Sequence, residues 1–249
     1  MNFDAEKETQ RIIAFIQNYF KTNNLDGVVM GISGGKDSTI ASALFAEALG
    51  PENVIGITMP INSLKQDAED AQRVADHIGF ELMMVDLSTE FNEQEKNINQ
   101  VFKLDKEQAK EAAINLKPRI RMGTLYYVAQ AMSAKTNKRY IVAGTGNKCE
   151  IYVGYFTKFG DGGSDINILA DLTVREVLAI GDYLKLPKDL VHKPPADGLS
   201  GKTDEERLGF SYDEVEKVIN GEIRHEKIER MHKFAAHKLN PILIYKKGE

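Results

Sequence analysis

A glycine-rich stretch near the N-terminus restricts the fold of this chain more than any other feature. The stretch is Gly31-Ile32-Ser33-Gly34-Gly35-Lys36-Asp37-Ser38. It follows a short apolar run, Val28 to Met30, and precedes a helical pattern from Thr39 to Leu49. A strand, a glycine-rich turn and a helix in this order direct backbone N–H groups and the positive end of a helix dipole at an anion, usually a phosphate. We therefore expect an α/β unit that binds a phosphorylated ligand at residues 31–38.

The carboxylate inside this stretch predicts a divalent cation. Asp37 lies in the first turn of the predicted helix, where the dipole favours negative charge but where a bound phosphate would be repelled. A cation held by Asp37 that bridges to the phosphates removes this repulsion. The common mononucleotide P-loop is excluded, because that motif needs Ser or Thr directly after Gly-Lys, and here Asp37 follows Lys36.

Short apolar runs alternate with helical patterns along the chain. Strands are predicted at 27–32, 54–59, 81–87 and 140–143. Helices are predicted at 4–22, 39–49, 66–78, 90–116, 115–138, 173–184, 211–219 and 222–239, with a break near Pro118. Strand–helix–strand units of this spacing form parallel sheets with right-handed crossovers. The sequence therefore predicts an α/β fold, a doubly wound parallel β-sheet flanked by helices, with a helical C-terminal part.

Two further segments are predicted to lie near the glycine-rich turn. Residues 144–150 follow the fourth strand, and ligands of such folds bind outside the carboxyl ends of the strands, so this loop should face the same crevice. Residues 156–170 lack clear periodicity and contain three glycines. They are predicted to form a mobile loop that could act as a lid.

Composition excludes several classes of protein. The net charge of −5 over 249 residues gives no general basic field for nucleic acid. Cys149 is the single cysteine, which excludes an intramolecular disulfide and fits a reducing compartment. No apolar run approaches the roughly 18 residues that span a bilayer, and the acidic N-terminus lacks a signal-peptide pattern. We expect a cytoplasmic protein that binds neither nucleic acid nor membrane.

Four further stretches, together with the first loop, resemble one enzyme family. They are Arg119-Ile120-Arg121-Met122, Gly144 to Glu150, Gly154 to Asp165, and Asp204 to Gly209. In this order and spacing the chain resembles the ammonia-dependent NAD synthetases, which belong to the N-type ATP pyrophosphatases and have an adenine nucleotide α-hydrolase-like fold. The resemblance runs from about residue 10 to about residue 240. It implies a homodimer of a single domain, residues 1–249, with no glutaminase domain and with ammonia as the direct nitrogen donor.

The resemblance also implies a reaction and a set of site residues. The family joins ammonia to the nicotinate carboxylate of deamido-NAD and converts ATP into AMP and pyrophosphate, through an adenylated carboxylate. ATP would be bound by the eight residues of the loop and by Thr145, and Mg²⁺ by Asp37 and Glu150. The implied contacts to deamido-NAD come from Arg119, Lys158, Asp165, His237 and Lys238.

Three of these residues are predicted to act in the chemistry. Magnesium on Asp37, with loop amides and Lys36 or Lys158, would stabilise charge on the phosphates. Ammonia must lose a proton, since ammonium dominates at neutral pH. Asp165, at the end of the candidate lid, is predicted to accept that proton.

Two positions depart from the pattern of the family. Val174 stands where a lysine is frequent, and Ala196 stands where Ser or Thr is frequent, and both positions are expected to touch ATP phosphates. Arg175 or Lys202 could supply the missing charge.

Two alternative functions follow from the same residues. The loop also occurs in tRNA-thiolating and GMP-forming enzymes, but a single cysteine and an acidic chain argue against the first of these. The departures at Val174 and Ala196 leave open a nucleotide-binding protein with impaired catalysis.

Overall fold

The computed structural model describes residues 3–62, 65–193 and 203–247. Its centre is a five-stranded sheet with the order β3-β2-β1-β4-β5, and all neighbouring strands pair in parallel. The strands are β1 (Gly27–Gly31), β2 (Val54–Thr58), β3 (Glu81–Met84), β4 (Tyr140–Gly144) and β5 (Ile166–Asn167). The four predicted strands are confirmed. The fifth contains only two residues, which is too short to produce an alternating pattern.

Helices connect these strands and form the C-terminal part, within the described residues. They are α1 (Ala5–Asn23), α2 (Lys36–Leu49), α3 (Lys65–Ile78), α4 (Ser88–Phe102), α5 (Lys106–Ala113), α6 (Leu116–Thr136), α7 (Lys148–Val153), α8 (Val174–Tyr183), α9 (Lys188–Val191), α10 (Asp204–Leu208), α11 (Tyr212–Ile219) and α12 (Glu226–Leu239). A short 3₁₀ turn, Pro51–Asn53, precedes β2. None of the described helices is both long and apolar enough to cross a bilayer.

Helices cover both faces of the sheet, as the doubly wound prediction requires. One apolar cluster joins the sheet to α1, α2, α3, α8 and α9, and a second joins the opposite face to α4 and α6. The middle strand is buried on both faces, because Val28, Val29 and Met30 have no exposed surface. Parallel strands buried on both sides are continuous apolar runs rather than alternating ones, which is the pattern that identified β1.

The C-terminal helices pack around α7 and form a third apolar cluster. Cys149, Val153, Val215 and Ile228 are among its buried members. Gly154 ends α7 with φ +70, and a Cβ at this position would lie 2.4 Å from the Cβ of Ala235 in α12. The absence of a side chain therefore allows α12 to approach the end of α7, and the predicted helical C-terminal part is confirmed.

Two predicted helix boundaries are wrong. Helix α6 runs through Pro118 without a break, because Pro118 is the third residue of the helix, where its missing N–H has no partner to lose. The pattern over 90–116 divides into two helices. Lys103 ends α4 in a left-handed conformation, and Asp105 caps α5 with its side chain.

The sheet order places a crevice at a defined position. β1 lies between β2 and β4. The chain first adds β2 and β3 on one side of β1, and then adds β4 and β5 on the other side. Ligands of open parallel sheets bind at such a reversal of strand order, beyond the carboxyl ends of the strands. The glycine-rich loop follows β1 and the loop at 145–147 follows β4, so both lie at this point.

Candidate active site

Hydroxyl groups at the start of α2 form hydrogen bonds with the backbone of the glycine-rich loop. Ser38 Oγ accepts from the Ser33 N–H and donates to the Gly35 carbonyl, while Thr39 Oγ1 also donates to that carbonyl. Gly35 caps α2 in an extended conformation without a side-chain hydrogen bond. The N–H groups at the start of α2 therefore lack an intrahelical partner, which suits an anion.

Gly34 is required by both its conformation and its neighbour. Its φ is +75, and a Cβ there would lie 2.7 Å from the Cβ of Asp70 in α3. Asp70 is itself buried and accepts a bond of 2.6 Å from Lys193 Nζ. The back of the loop thus packs directly on α3, and its front faces the crevice.

A large cavity of about 1810 Å³ occupies the crevice. Seven of the eight loop residues line it, Gly34 being the exception, together with Thr145 and Glu150. It continues along α4, α5 and α6, where Lys106, Lys110 and Lys117 contribute to the wall. The volume exceeds that of ordinary single-ligand pockets, so the cavity can hold two substrates side by side.

Asn147 connects the two predicted metal ligands. Its Nδ2 donates to Asp37 Oδ1 over 3.2 Å, and its backbone N–H donates to Glu150 Oε2 over 3.1 Å. Its Oδ1 accepts from the N–H groups of Cys149 and Glu150, which completes a capping box at the start of α7. Asn147 has no exposed surface. One buried side chain therefore fixes the carboxylates of two separate loops relative to each other.

A single ammonium group balances these carboxylates. Lys36 Nζ donates to Asp37 Oδ2 over 2.8 Å, and the residue is 7% exposed. Burial lowers the pKa of Lys36, but Asp37 and Glu150 outweigh burial, so the pKa is raised. Burial, and then the nearby charge of Asp37, raise the pKa of Glu150 to about 8. Two carboxyl groups thus share one ammonium group, and a divalent cation bound between them would favour the ionised form of Glu150.

Asp37 and Glu150 are suitable ligands for magnesium but do not form a complete site. Mg²⁺ takes oxygen donors, usually one or two carboxylates together with substrate phosphates and water. Within the described residues, no group of three or more His, Cys, Asp or Glu side chains could hold a metal. The donor set therefore fits a metal that arrives with a phosphorylated substrate.

Four of the residues predicted to contact the dinucleotide lie together beside the cavity. Lys158 Nζ donates to the His237 carbonyl over 2.5 Å, and its own carbonyl accepts from Arg119. Lys238 Nζ donates to the carbonyls of Gly154 and Phe156, each over 2.7 Å. Of these four predicted residues, Lys238 alone lines the cavity, while Arg119 and His237 are exposed. In this structure their hydrogen bonds join the C-terminal end of α12 to the loop that follows α7.

Asp165 is separated from this group. Its Oδ2 accepts from the Val142 N–H over 2.8 Å, and its Oδ1 accepts from the Tyr126 hydroxyl over 3.1 Å. Its own N–H donates to the Val142 carbonyl. Asp165 thus attaches the start of β5 to β4, and it does not line the cavity. This placement does not favour the predicted role in proton transfer.

Sequence reasoning missed two residues that line the cavity, Arg121 and Asp204, and one buried residue, Asn147, that contacts the carboxylates of Asp37 and Glu150. Arg121 lines the cavity and donates to the Met59 carbonyl over 3.0 Å, whereas Arg119 does not line it. Asp204 also lines it and accepts from the Tyr155 hydroxyl. The third, Asn147, had a readable signal, because Asn followed three residues later by Glu is the pattern of a capping box.

The predicted replacement of the missing lysine by Arg175 is wrong. Arg175 pairs with Glu216, and both line a separate surface depression of about 410 Å³ between α8 and α11, together with Val174. Neither Val174 nor Arg175 lines the large cavity. Ala196 and Lys202 lie outside the described residues.

Comparison with known proteins agrees with the motifs. Residues 8–247 match the NAD synthase family. The NH(3)-dependent NAD(+) synthetase of Carboxydothermus hydrogenoformans is 36% identical over 243 residues, which is 96% of each chain.

Solved structures agree on the fold. An NMN synthetase from Francisella tularensis has a TM-score of 0.85 at 29% identity, covering 98% of this chain and 99% of its own. An NAD+ synthetase from Burkholderia pseudomallei has a TM-score of 0.77 at 29% identity, covering 96% of this chain and 91% of its own. The resemblance drawn from the motifs is therefore confirmed, and the chain belongs to the NAD synthase family.

Proposed function

We propose that this chain is an ammonia-dependent NAD synthetase. It amidates deamido-NAD with ammonia and converts ATP into AMP and pyrophosphate. The observation that carries this proposal is a cavity with room for both nucleotides, whose wall contains seven residues of the loop together with Glu150, which Asn147 links to Asp37.

ATP is bound with its phosphates at the start of α2. Loop N–H groups and the helix dipole attract the phosphates, and Lys36 adds a positive charge. Asp37 and Glu150 would hold Mg²⁺, which when bound neutralises charge on the phosphates and on the departing pyrophosphate. Thr145 directly follows β4 and lines the same cavity, so it would contact the nucleotide.

The reaction requires activation of an unreactive acid. A carboxylate, which titrates near ~4, is ionised at neutral pH and needs no base to attack the α-phosphorus. That attack forms a C–O–P linkage and releases pyrophosphate. Ammonia then attacks the carbonyl carbon and AMP leaves. The chain's contribution is to hold two anions together in one cavity, since proximity supplies much of the rate.

Asp165 and Asp161 are the two candidates for the residue that accepts the proton of ammonium, and an experiment can distinguish them. Asp161 lines the cavity and its Oδ1 accepts from the Thr157 N–H, whereas both oxygens of Asp165 are held by β4 and α6. If Asp165 is the base, Asp165→Asn should lose activity most at low pH. If its pH profile only scales with that of the wild type, the role belongs elsewhere, and Asp161→Asn is the next variant to test.

A second candidate substrate has support from one comparison. The TM-score to the Francisella tularensis NMN synthetase is 0.85, against 0.77 for the Burkholderia pseudomallei NAD+ synthetase, at the same 29% identity. The same chemistry applied to nicotinate mononucleotide would yield NMN. The curated relative at 36% identity favours the dinucleotide.

A competition assay decides between the two substrates. Purified protein receives ATP, Mg²⁺ and ammonium with equal concentrations of deamido-NAD and nicotinate mononucleotide. The proposal predicts that NAD forms with the larger kcat/KM and that AMP appears in equal amount. Preferential formation of NMN would show that nicotinate mononucleotide, and not deamido-NAD, is the preferred substrate. Formation of ADP would reject the AMP-forming reaction.

We further propose that the chain acts as a homodimer in the cytoplasm. Large apolar side chains on α4 and α6 are exposed, with Val101 and Tyr127 both at 73%, which is unusual for a face that remains in water. Light scattering of the purified protein should give twice the chain mass. A monomer at micromolar concentration would reject the dimer.

A further inference from the structure

Lys36 is buried beside Asp37, one of the two proposed metal ligands. It is the first residue of α2 and directly follows the glycine-rich turn, yet it is only 7% exposed. Its ammonium group donates to Asp37 Oδ2 and lies 5.7 Å from the centre of the Tyr212 ring. A lysine next to a phosphate-binding turn would ordinarily extend into the cavity, but here its charge is directed at a carboxylate.

The surroundings of this ammonium group are acidic. Asp37, to which Lys36 donates, is joined to Glu150 through Asn147, and the ring of Tyr212 beside Lys36 belongs to a side chain that donates to Asp204. Asp204 also accepts from the hydroxyls of Tyr155 and Tyr212. Lys36 thus lies among three carboxyl groups and pairs directly with that of Asp37.

Both oxygens of Asp37 are already engaged. Oδ1 accepts from Asn147 Nδ2 and Oδ2 accepts from Lys36 Nζ. A metal ion that uses Asp37 must displace or crowd one of these donors. Asn147 is completely buried and fixed by its capping bonds to α7, whereas the lysine side chain is a flexible chain with one charged end. Lys36 is therefore the donor that can move.

We propose that Lys36 is an internal counter-ion that occupies the cation position at Asp37 before substrates bind, and that its side chain moves when the metal enters, so that its ammonium group then contacts the ATP phosphates. The inference rests on the proposed metal site at Asp37 and Glu150. The movement of Lys36 supplies a phosphate-binding cation on the loop itself, where Val174 and Arg175 supply none to the cavity.

The exchange makes metal and nucleotide binding cooperative. Metal alone must displace Lys36 with no new partner for the ammonium group, so it binds weakly. In the presence of ATP the ammonium group of Lys36 can pair with the phosphates, so the metal binds more tightly. Coupling of this kind is reciprocal, so the metal tightens ATP binding by the same factor.

The test measures Mn²⁺ affinity by electron paramagnetic resonance, with and without α,β-methylene-ATP, which cannot be cleaved at the α–β position. For the wild type we expect the analogue to tighten Mn²⁺ binding at least about tenfold. In Lys36→Met, Mn²⁺ without nucleotide should bind about tenfold more tightly than in the wild type, and the effect of the analogue should shrink. Lys117→Met is the matched control, because Lys117 lines the same cavity but lies against Phe91.

Each contrary outcome has a distinct meaning. Wild-type Mn²⁺ affinity that does not depend on the analogue overturns the inference whether or not the variants fold. Unchanged nucleotide-free affinity in Lys36→Met, or an equal gain in Lys117→Met, overturns the role of Lys36 while leaving the metal site. Absence of Mn²⁺ binding even with the analogue overturns both the metal site and the inference. Lys36→Gln, which keeps a donor but no charge, should behave like Lys36→Met.

Discussion

Replacing Asn147 with Asp tests whether Asn147 joins the carboxylates of Asp37 and Glu150, because the substitution only exchanges the side-chain NH₂ group for an oxygen. The Oδ1 that caps α7 is kept, so the bonds from the Cys149 and Glu150 N–H groups survive. The donor to Asp37 becomes an oxygen. The variant therefore keeps the helix cap and places a third carboxylate beside two others.

The expected cost follows from one distance and one pKa. Two unit charges 3.2 Å apart repel by about 5 kcal/mol at an effective dielectric constant of about 20. Holding an Asp of ordinary pKa near ~3.9 in its protonated form at pH 7 costs about 4 kcal/mol. The protonated form is therefore the cheaper one, and it can donate again to Asp37. We expect Asn147→Asp to be destabilised by about 4 kcal/mol at pH 7, and by about 3 kcal/mol less at pH 5.

Urea denaturation from pH 5 to pH 7.5 measures this difference, always against the wild type at the same pH. Asn147→Ser is the matched control, because Ser keeps a capping oxygen but cannot place a charge beside Asp37. Its difference from the wild type should not depend on pH. Adding Mn²⁺ should stabilise Asn147→Asp more than the wild type. A pH-independent cost below about 1 kcal/mol, the scale of one ordinary hydrogen bond, would refute the proximity of the three groups.

Three further predictions concern the loop, β5 and α12. Gly34→Ala should lower stability by about 1–2 kcal/mol and weaken ATP binding in calorimetry, because φ +75 is strained for a residue with a Cβ, which would lie 2.7 Å from an α3 side-chain carbon; equal ATP affinity would contradict this. Burial first, and then the Asp165 carboxylate, raise the pKa of Tyr126 to about 12, above its ordinary value near 10. Its contribution to stability is therefore complete below pH 10 and lost as the pH rises toward 12, so the difference in urea stability between wild type and Tyr126→Phe should shrink above pH 10, and a constant difference would refute the link. Lys238→Met should raise the KM for deamido-NAD about tenfold, the equivalent of about one hydrogen bond to a charged group, with a smaller change in kcat, because two loop carbonyls lose their donor; an unchanged KM would remove Lys238 from the substrate site.

The sequence predicted those parts of the fold that depend on local patterns. Four strands were visible as apolar runs, and the loop at 31–38 was visible from its glycines, serines and single carboxylate between a strand and a helix. β5 was not visible, because two residues carry no period and the strand depends on bonds between Asp165 and Val142. Pairing of that kind is a property of the folded sheet.

The site shows the same division. The loops that carry Asp37 and Glu150 could be placed at one crevice, because each follows a predicted parallel strand and the carboxyl ends of such strands meet the same edge. Their pairing as metal ligands came from the family resemblance. The direction in which a side chain points could not be predicted from the sequence. Arg119 was therefore chosen as a substrate contact, whereas it is Arg121 that lines the cavity. The burial of Lys36 against Asp37 depends on α7 and α11, more than one hundred residues away in the chain.

The most direct test of the account follows an oxygen atom. Deamido-NAD labelled with ¹⁸O in the nicotinate carboxylate is converted with ATP, Mg²⁺ and ammonium, and the nucleotide products are examined by mass spectrometry. Adenylation of the carboxylate predicts one ¹⁸O atom in the phosphate of AMP, in equal amount to the NAD formed. Unlabelled AMP, or label in pyrophosphate or in ADP, would contradict the proposed reaction at this site.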